Sequence, residues 1–426
     1  MSAIADTPPQ RRFSALYVRD FRRYFTGQAV SLTGTWMQQT ALGWLVYSIT
    51  GSELFLGFLG MALALPVLLF TLFGGILADK FNKKNILMIT QSLSTIPALF
   101  LAALIAMDIK NVWLILASAL VLGTINAIDI PARQSFTIEI AGRENLQGAV
   151  ALNSTAFHTA RLVGPAIAGF IIAGHSMFMC FVVNALSFLP VTYVLSGIKP
   201  PEPPDMSNAP DMSALPERSP RRGPFASQNG IFGKLAQGFS FIKNDRQVAG
   251  LLLTLTVFSL FGIPFSQFLP VYADRVFHAG PKGLGYLMSA VGFGSALAGV
   301  FIAFKGNGGK KLRFMSRTGA LFPPALLIFT VVNNFYAALF FLAVTGFNIV
   351  GFVATANSFI QLKVSDELRG RVMSVFAIML LGMTPIGAAM MGIAAGVVGL
   401  NNTLMAGSAV CLAGFFILRR WWCKDI

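Results

Sequence analysis

The chain is short of the residues that proteins use to face water. Only 12% of its 426 residues are charged and 55% are hydrophobic, with a mean hydropathy of +0.68. A soluble domain carries roughly 25% charged residues. Cysteine and histidine are scarce too, at three each. Cys180 and Cys411 fall inside apolar runs and Cys423 lies in the tail, so neither a disulfide framework nor a metal-ligand spacing can be built, and no metal or cofactor is expected. Acidic residues number 17 against 32 basic ones, for a formal charge of +15. That balance suits nucleic acid or an anionic membrane surface, and the placement of the charges decides between them. Arg11-Arg12 is followed by a full-length apolar run, not by a short core with a small-residue cleavage site, so the segment is expected to be retained. Enzyme-like fragments fail as well. K-G-N-G-G-K-K from Lys305 has Phe304 where a phosphate loop needs glycine, and no hydroxyl residue follows Lys310. G-F-G-S-A-L from Gly292 lacks the third glycine of a dinucleotide fingerprint. No enzymatic activity is expected.

What the chain does have is long apolar runs. Spans fall near 22–48, 54–78, 85–106, 112–132, 147–173 and 175–196, then near 247–272, 283–304, 313–332, 335–361, 370–396 and 400–418. Each is long enough for the ~20 residues that cross ~30 Å of hydrocarbon. The pattern predicts an all-α polytopic membrane protein: a tail over 1–21, six helices over 22–196, a polar linker over 197–246, six helices over 247–418 and a tail over 419–426. Lys199 to Pro224 is rich in Pro, Ser, Asp and Glu, the composition of a disordered segment. Phe232, Leu235, Phe239 and Ile242 share one helical face within 231–243, as expected of an amphipathic helix lying either on the membrane or on the protein.

The two halves are related. A-I-D-I-P-A-R-Q-S-F through G-R-E-N-L-Q-G-A-V-A-L-N-S, from Ala127 to Ser154, is echoed by N-S-F-I-Q-L-K-V-S-D-E-L-R-G-R-V-M-S, from Asn357 to Ser374. Leu146 aligns with Leu368, an offset of 222, and Pro165 with Pro385, an offset of 220. Repeats this far apart imply two pseudo-symmetric six-helix bundles.

Charge placement sets the expected orientation. Of the 32 basic residues, 28 fall in the N-terminus, the linker, the C-terminus and the loops on their side. The opposite loops hold Lys110, Arg275 and Lys282, and Arg161 lies within a span. The positive-inside rule then places both termini in the cytoplasm. Basic loops facing anionic lipid explain the charge without nucleic acid.

G-I-L-A-D-K-F-N-K-K, from Gly75 to Lys84, resembles the G-x-x-x-D-R-x-G-R-R loop of the major facilitator superfamily, with Asn82 in place of a glycine. The resemblance implies the twelve-helix major facilitator fold and a cytoplasmic latch of Gly75, Asp79, Lys80, Lys83 and Lys84, in which Asp79 meets the start of span eleven. P-A-R-Q-S-F, G-R-E-N-L, A-L-N-S and A-R-L-V-G-P are similar to the bacterial efflux branch that includes enterobactin-type siderophore exporters and macrolide-type drug:proton antiporters. D-F-R-R-Y-F-T-G-Q and D-E-L-R-G-R-V fit the same branch. Gly164, Pro165 and Gly169 partly match its antiporter motif, Ala160 and Ala168 replacing glycines. Close helix packing with a proline kink accounts for them equally.

Polar residues within spans mark candidate sites, because a central charge costs about 2.5–3.5 kcal/mol even on the lenient insertion scale. Asp129, His158 and Arg161 are candidates for proton coupling, with an Asp129–Arg161 pair as the plain structural alternative. An arginine without such a partner suits an anionic group on a substrate. Gln28, Trp36, Gln38, Gln39, Asn126, Phe261, Gln267, Asn348 and Met383 are further cavity candidates. The expected function is proton-coupled efflux of an amphipathic small molecule by alternating access, the partners being substrate, protons and lipid, with a monomer expected. An importer or facilitator of the same fold, and a sensor or scaffold that moves nothing, stay open.

Overall fold

Helix ends fall where the sequence supplies caps. The side chains of Asn82, Asn111, Ser176, Asp245 and Asn334 accept from backbone N–H groups at the starts of five helices, and Gly51 closes the first helix in the left-handed conformation at φ 58°. The protein is described here by a computed structural model covering residues 14–198, 240–304 and 310–422. Among these, twelve long helices run in two sets of six, without a strand. The first set is α1 Arg19–Thr50, α2 Glu53–Lys80, α3 Lys83–Ala106, α4 Val112–Ala141, α5 Leu146–Gly174 and α6 Met177–Gly197. The second is α7 Arg246–Val276, α8 Gly280–Phe304, α9 Lys310–Val331, α10 Phe335–Lys363, α11 and α12 Leu400–Trp422. Helix α11 comprises Asp366–Ala377 and Met383–Val398, joined by a π turn at Ile378–Gly382.

Eleven of the twelve are long and apolar enough to cross a membrane, and α1 is the exception. Its polar residues are turned inward: Gln28, Ser31, Gln38 and Thr40 are all buried. Two expectations need correction. Helix α4 continues to Ala141 instead of stopping near 132, so Arg133 is a helix residue. Helix α7 is broken: beyond Phe261 it passes through a 3-10 segment at Ile263–Phe268 and a π turn at Tyr272–Val276. Gly262, Pro264 and Pro270 interrupt the regular ladder there. Most of the 197–246 linker, including the greater part of the expected amphipathic helix, lies outside the described residues. Residues 240–244 are helical and Ile242 is buried. The start of the predicted N-terminal tail and the last four residues of the chain lie outside as well.

The halves meet along two symmetric helix pairs, α5 with α8 and α2 with α11. A Cβ on Gly285 would stand 2.6 Å from the Pro165 carbonyl oxygen, and one on Gly57 would stand 2.5 Å from that of Ala388. Gly169 approaches Gly285 and the Pro281 carbonyl; Gly392 approaches Gly57 and the Glu53 carbonyl. Gly164 packs on α1 at Thr33 and Met37, as Gly387 packs on α7 at Leu260. Only glycine lets backbones come this close. The structural equivalents are therefore Gly164 with Gly387, Pro165 with Ala388 and Gly169 with Gly392, a constant offset of 223. This corrects the alignment of Pro165 with Pro385. The π turn in α11 adds one residue after Leu368, which turns the offset of 222 into 223.

At the end of the molecule away from the linker, the halves are also tied by side chains. Arg275 Nη1 meets Glu53 Oε1 at 2.6 Å, its Nη2 donates to the Gly51 carbonyl, and its guanidinium lies 5.7 Å from the Tyr47 ring centroid. Tyr47 Oη donates to Asp274 at 3.2 Å. Towards the linker end the close approaches along α2 and α11 stop at Leu68 with Gly382. Gly75 and Gly370, further on, face open space.

Candidate functional site

Three helices converge on Arg161. Gly164, one turn further along α5, lets α1 approach until a Cβ there would stand 2.7 Å from Trp36 Cβ. Gly292 lets α8 press on the Arg161 carbonyl, where a Cβ would stand 2.6 Å away, and Ser289 Oγ donates to the Leu162 carbonyl at 2.6 Å. Held on both flanks, the Arg161 side chain extends over Trp36, its Cζ 5.4 Å from the ring centroid. The glycines of the G-F-G-S-A-L stretch serve this packing, Gly292 against α5 and Gly294 against α10 at Ala343.

Arg161 and Trp36 border a cavity of about 150 Å³ between the two halves. Helix α1 adds Gln39, α2 adds Leu59 and Leu63, and α5 adds Pro165. The broken stretch of α7 presents Ser266, Gln267 and Leu269, and α8 closes the wall with Met288 and Val291. Irregular backbone at membrane depth is tolerated where it lines such a cavity, and broken helices often border substrate sites. The lining holds one positive charge and no carboxylate.

Arg161 and Asp129 do not pair. Asp129 Oδ2 lies 3.2 Å from the guanidinium of Arg133, one turn on in α4, while Oδ1 accepts from Thr90 Oγ1 at 2.8 Å and Gln91 Nε2 at 3.0 Å. Ser31 of α1 donates to Gln91 Oε1 at 3.1 Å, which extends the network across α1, α3 and α4. Among the described residues no carboxylate lies within 4 Å of Arg161. The i, i+4 spacing of Asp129 and Arg133 was visible in the sequence. The early end expected for α4 hid it.

The other candidates scatter. Trp36, Arg161, Pro165 and Gln267 border the cavity, whereas Gln28, Gln38, Asn126, Phe261, Asn348 and Met383 do not. Gln28 is buried with both amide atoms unpartnered, on the α1 face that carries Tyr24 and Ser31. Gln38 accepts from Asn184 of α6, which ties α1 to α6, whereas Asn348 donates back to the Val344 carbonyl of its own helix at 2.8 Å. Phe261 packs on the apolar core. His158 stands between α5 and α8, its ring 3.8 Å from a Cβ built on Gly299, with Nδ1 buried and unpartnered. In the basic loop, Lys83 pairs with Glu139 at 3.0 Å, and Lys84 Nζ donates to the carbonyls of Ser196 and Ile198 at 3.3 and 2.6 Å. Both contacts stay within the first half. Asp79 and Lys80 are exposed, and Asp79 has no partner among the described residues. An apolar cavity wall was expected from Phe261 and Met383 but is built by Leu59, Leu63, Leu269, Met288 and Val291, and the Glu53–Arg275 tie was not anticipated. The signal for the tie was Arg275 itself, one of three basic residues on the sparsely charged side.

Known proteins agree with this architecture. The chain is 25% identical to the staphyloferrin A transporter of Staphylococcus aureus, over 92% of this chain and 94% of that one. It is 25% identical to the multidrug efflux pump Tap of Mycolicibacterium fortuitum, over 86% and 87%. In three dimensions it matches the crystal structure of a bacterial homologue of the human lysosomal transporter Spinster, in an inward-facing and unoccupied conformation. That match has a TM-score of 0.70 at 14% identity and covers 96% of this chain and 98% of the other. The family model described as "Transmembrane secretion effector" matches residues 11–424. The chain therefore belongs to that family and is a multi-pass membrane transporter of the major facilitator superfamily.

Proposed function

We propose that the chain exports an amphipathic small molecule from the bacterial cytoplasm, exchanging it for protons by alternating access. The observation that carries this reading is the cavity between the halves, whose lining combines polar Arg161, Gln39 and Gln267 with apolar Leu59, Leu63, Leu269, Met288 and Val291. The names of its relatives, a siderophore transporter and a multidrug efflux pump, support export of this substrate class. The distribution of basic residues supports an inner-membrane protein with both termini and the linker in the cytoplasm. With that orientation the Glu53–Arg275 tie shuts the periplasmic end, and the parting of α2 from α11 near Gly75 opens the cytoplasmic end. Asp129 carries the proton. Protonation cancels its attraction to Arg133 and turns one acceptor oxygen into a donor, so Thr90, Gln91 and Ser31 must reorient, which couples charge to the packing of α1, α3 and α4.

The test is a gradient. Cells lacking the chain should retain more of a fluorescent amphipathic probe, and inverted vesicles should concentrate the same probe when acidified inside. Asp129→Asn vesicles should lose that concentration yet still exchange probe across the membrane. Concentration by the mutant at the wild-type level would move the proton site elsewhere, with His158 the next position to change.

A further inference from the structure

Most arginines whose contacts the structure resolves are held by protein oxygens. Arg133 has Asp129, Arg275 has Glu53 and the Gly51 carbonyl, and Arg369 donates to the carbonyls of Gln361 and Val364. Arg161 differs. Its side chain is largely buried at the cavity between the halves, and its one resolved partner is the face of Trp36. A guanidinium stacked in this way keeps its edge free, and that edge is a fixed fork of N–H donors matched to two oxygens of one oxyanion.

We propose that this site selects its substrate by charge: it takes a monoanionic amphipath, a carboxylate on an apolar body, and discriminates against the neutral and cationic analogues. The inference rests on the reading of the cavity as the transport site. The carboxylate occupies the free edge of Arg161 in a two-point contact, with Gln39 and Gln267 near enough to donate to further polar atoms. The body lies on Leu59, Leu63 and Leu269. Two physical points favour an anion. A cation at membrane depth without a counter-ion is costly, and a bound anion relieves that cost where a neutral ligand leaves it standing. The lining contains no carboxylate that could attract a cationic ligand in its place. A charge-assisted bidentate contact is worth about ten- to a hundredfold in affinity over a neutral isostere.

The experiment uses the full-length chain in nanodiscs and three probes sharing one ring system: naphthylacetate, its neutral amide, and naphthylmethylammonium. Binding is measured by calorimetry, and folding of each variant by thermal melting. The wild type should bind naphthylacetate at least tenfold more tightly than the amide and should bind the ammonium most weakly. Arg161→Gln should bring the acetate down to the level of the amide. Arg161→Lys, which keeps the charge and loses the fork, should retain part of the preference. Trp36→Leu should weaken all three probes while preserving their order. If Arg161→Gln does not fold, the lysine and leucine variants decide, because loss of the order in both is incompatible with a charge-selecting site. Equal affinity for acid and amide in the wild type, no binding of any probe, or an unchanged preference in a folded Arg161→Gln protein would each overturn the proposal. Transport in proteoliposomes separates the two readings. Charge-selective binding without movement of the probe leaves the anion site standing and sinks the transporter reading of the cavity. Movement indifferent to charge does the reverse.

Discussion

Removing Arg275 should shift the balance between the two ends of the molecule, by an amount the contacts allow to be worked out. The Arg275 side chain is 50% exposed and that of Glu53 13%. Solvent therefore screens the pair, which contributes about 0.2–1 kcal/mol. The hydrogen bond to the Gly51 carbonyl adds about 0.5–1.5 kcal/mol, and the stacking on Tyr47 about 0.5–1 kcal/mol at an exposed site. These terms share one side chain and are not additive, so Arg275→Ala should cost the closed far end about 1–2 kcal/mol, a shift of roughly 5- to 30-fold in the ratio of states. Spin labels at Asn111 and Tyr336 would report separation across that end, and labels at Tyr193 and Leu362 across the linker end. All four positions are exposed. The Asn111–Tyr336 distances should lengthen in the mutant while the Tyr193–Leu362 distances shorten. Arg275→Lys should fall between mutant and wild type. If both distributions stay as in the wild type in a protein that melts normally, the tie does not set the balance and the glycine contacts alone hold the end closed.

Three further outcomes are expected. Asp79→Asn should insert and fold normally yet slow transport, because the basic loop loses the one carboxylate able to attract the helix N-terminus of α11; wild-type rates in counterflow assays would reduce the loop to a topology signal. Gly57→Val places a side chain where a Cβ alone would stand 2.5 Å from the Ala388 carbonyl oxygen. Overpacking of about 1–3 kcal/mol is relieved by parting the halves, so the same spin labels should show the far end open with melting little changed. Asp245 tests pH. Burial resists its ionisation, but the hydrogen bonds from Lys363 Nζ and the Val248 and Gln247 N–H groups outweigh burial and hold the carboxyl below its ordinary range. Its stabilisation is thus complete above the unfolded value of about 3.9 and fades as pH falls through the lower folded value. Asp245→Asn should lower the melting temperature at pH 7, and the gap should narrow under strong acid; a gap independent of pH would contradict the assignment.

Much of the fold was legible because lipid enforces it. A run of apolar residues of membrane-spanning length permits little but a helix, and alternation of basic loops orders the spans. The first helix was legible despite its polarity because its length and flanking arginines compensated for Gln28, Ser31 and Gln38, which turn out to face other helices. The site was less legible. The sequence shows that Asp129 and Arg161 are unusual, but not that Arg133 stands closer to the first than Arg161 does, because that depends on α4 running on to Ala141. The α7 break was foreshadowed by Gly262, Pro264 and Pro270, yet prolines elsewhere in the protein, such as Pro66 and Pro97, sit inside continuous helices. Residue type alone does not separate those cases; the partners that satisfy the freed backbone groups do. Likewise Pro165 and Pro385 looked equivalent in one dimension, and only the glycine contacts reveal the inserted residue between them.

That inserted residue gives the two halves unequal stiffness. In α5 the stretch opposite the π turn is ordinary helix, a rod that transmits force along its length, whereas in α11 the widened turn at Ile378–Gly382 is a soft joint two residues from Thr384, the counterpart of Arg161. A molecule built from a rod and a jointed rod does not swing like a symmetric rocker. The first half, which carries Asp129 and Arg161, is then expected to move more nearly as one piece, and the second half to bend around it. On that expectation the duplicated architecture has lost its mechanical symmetry, one copy stiff and the other with give.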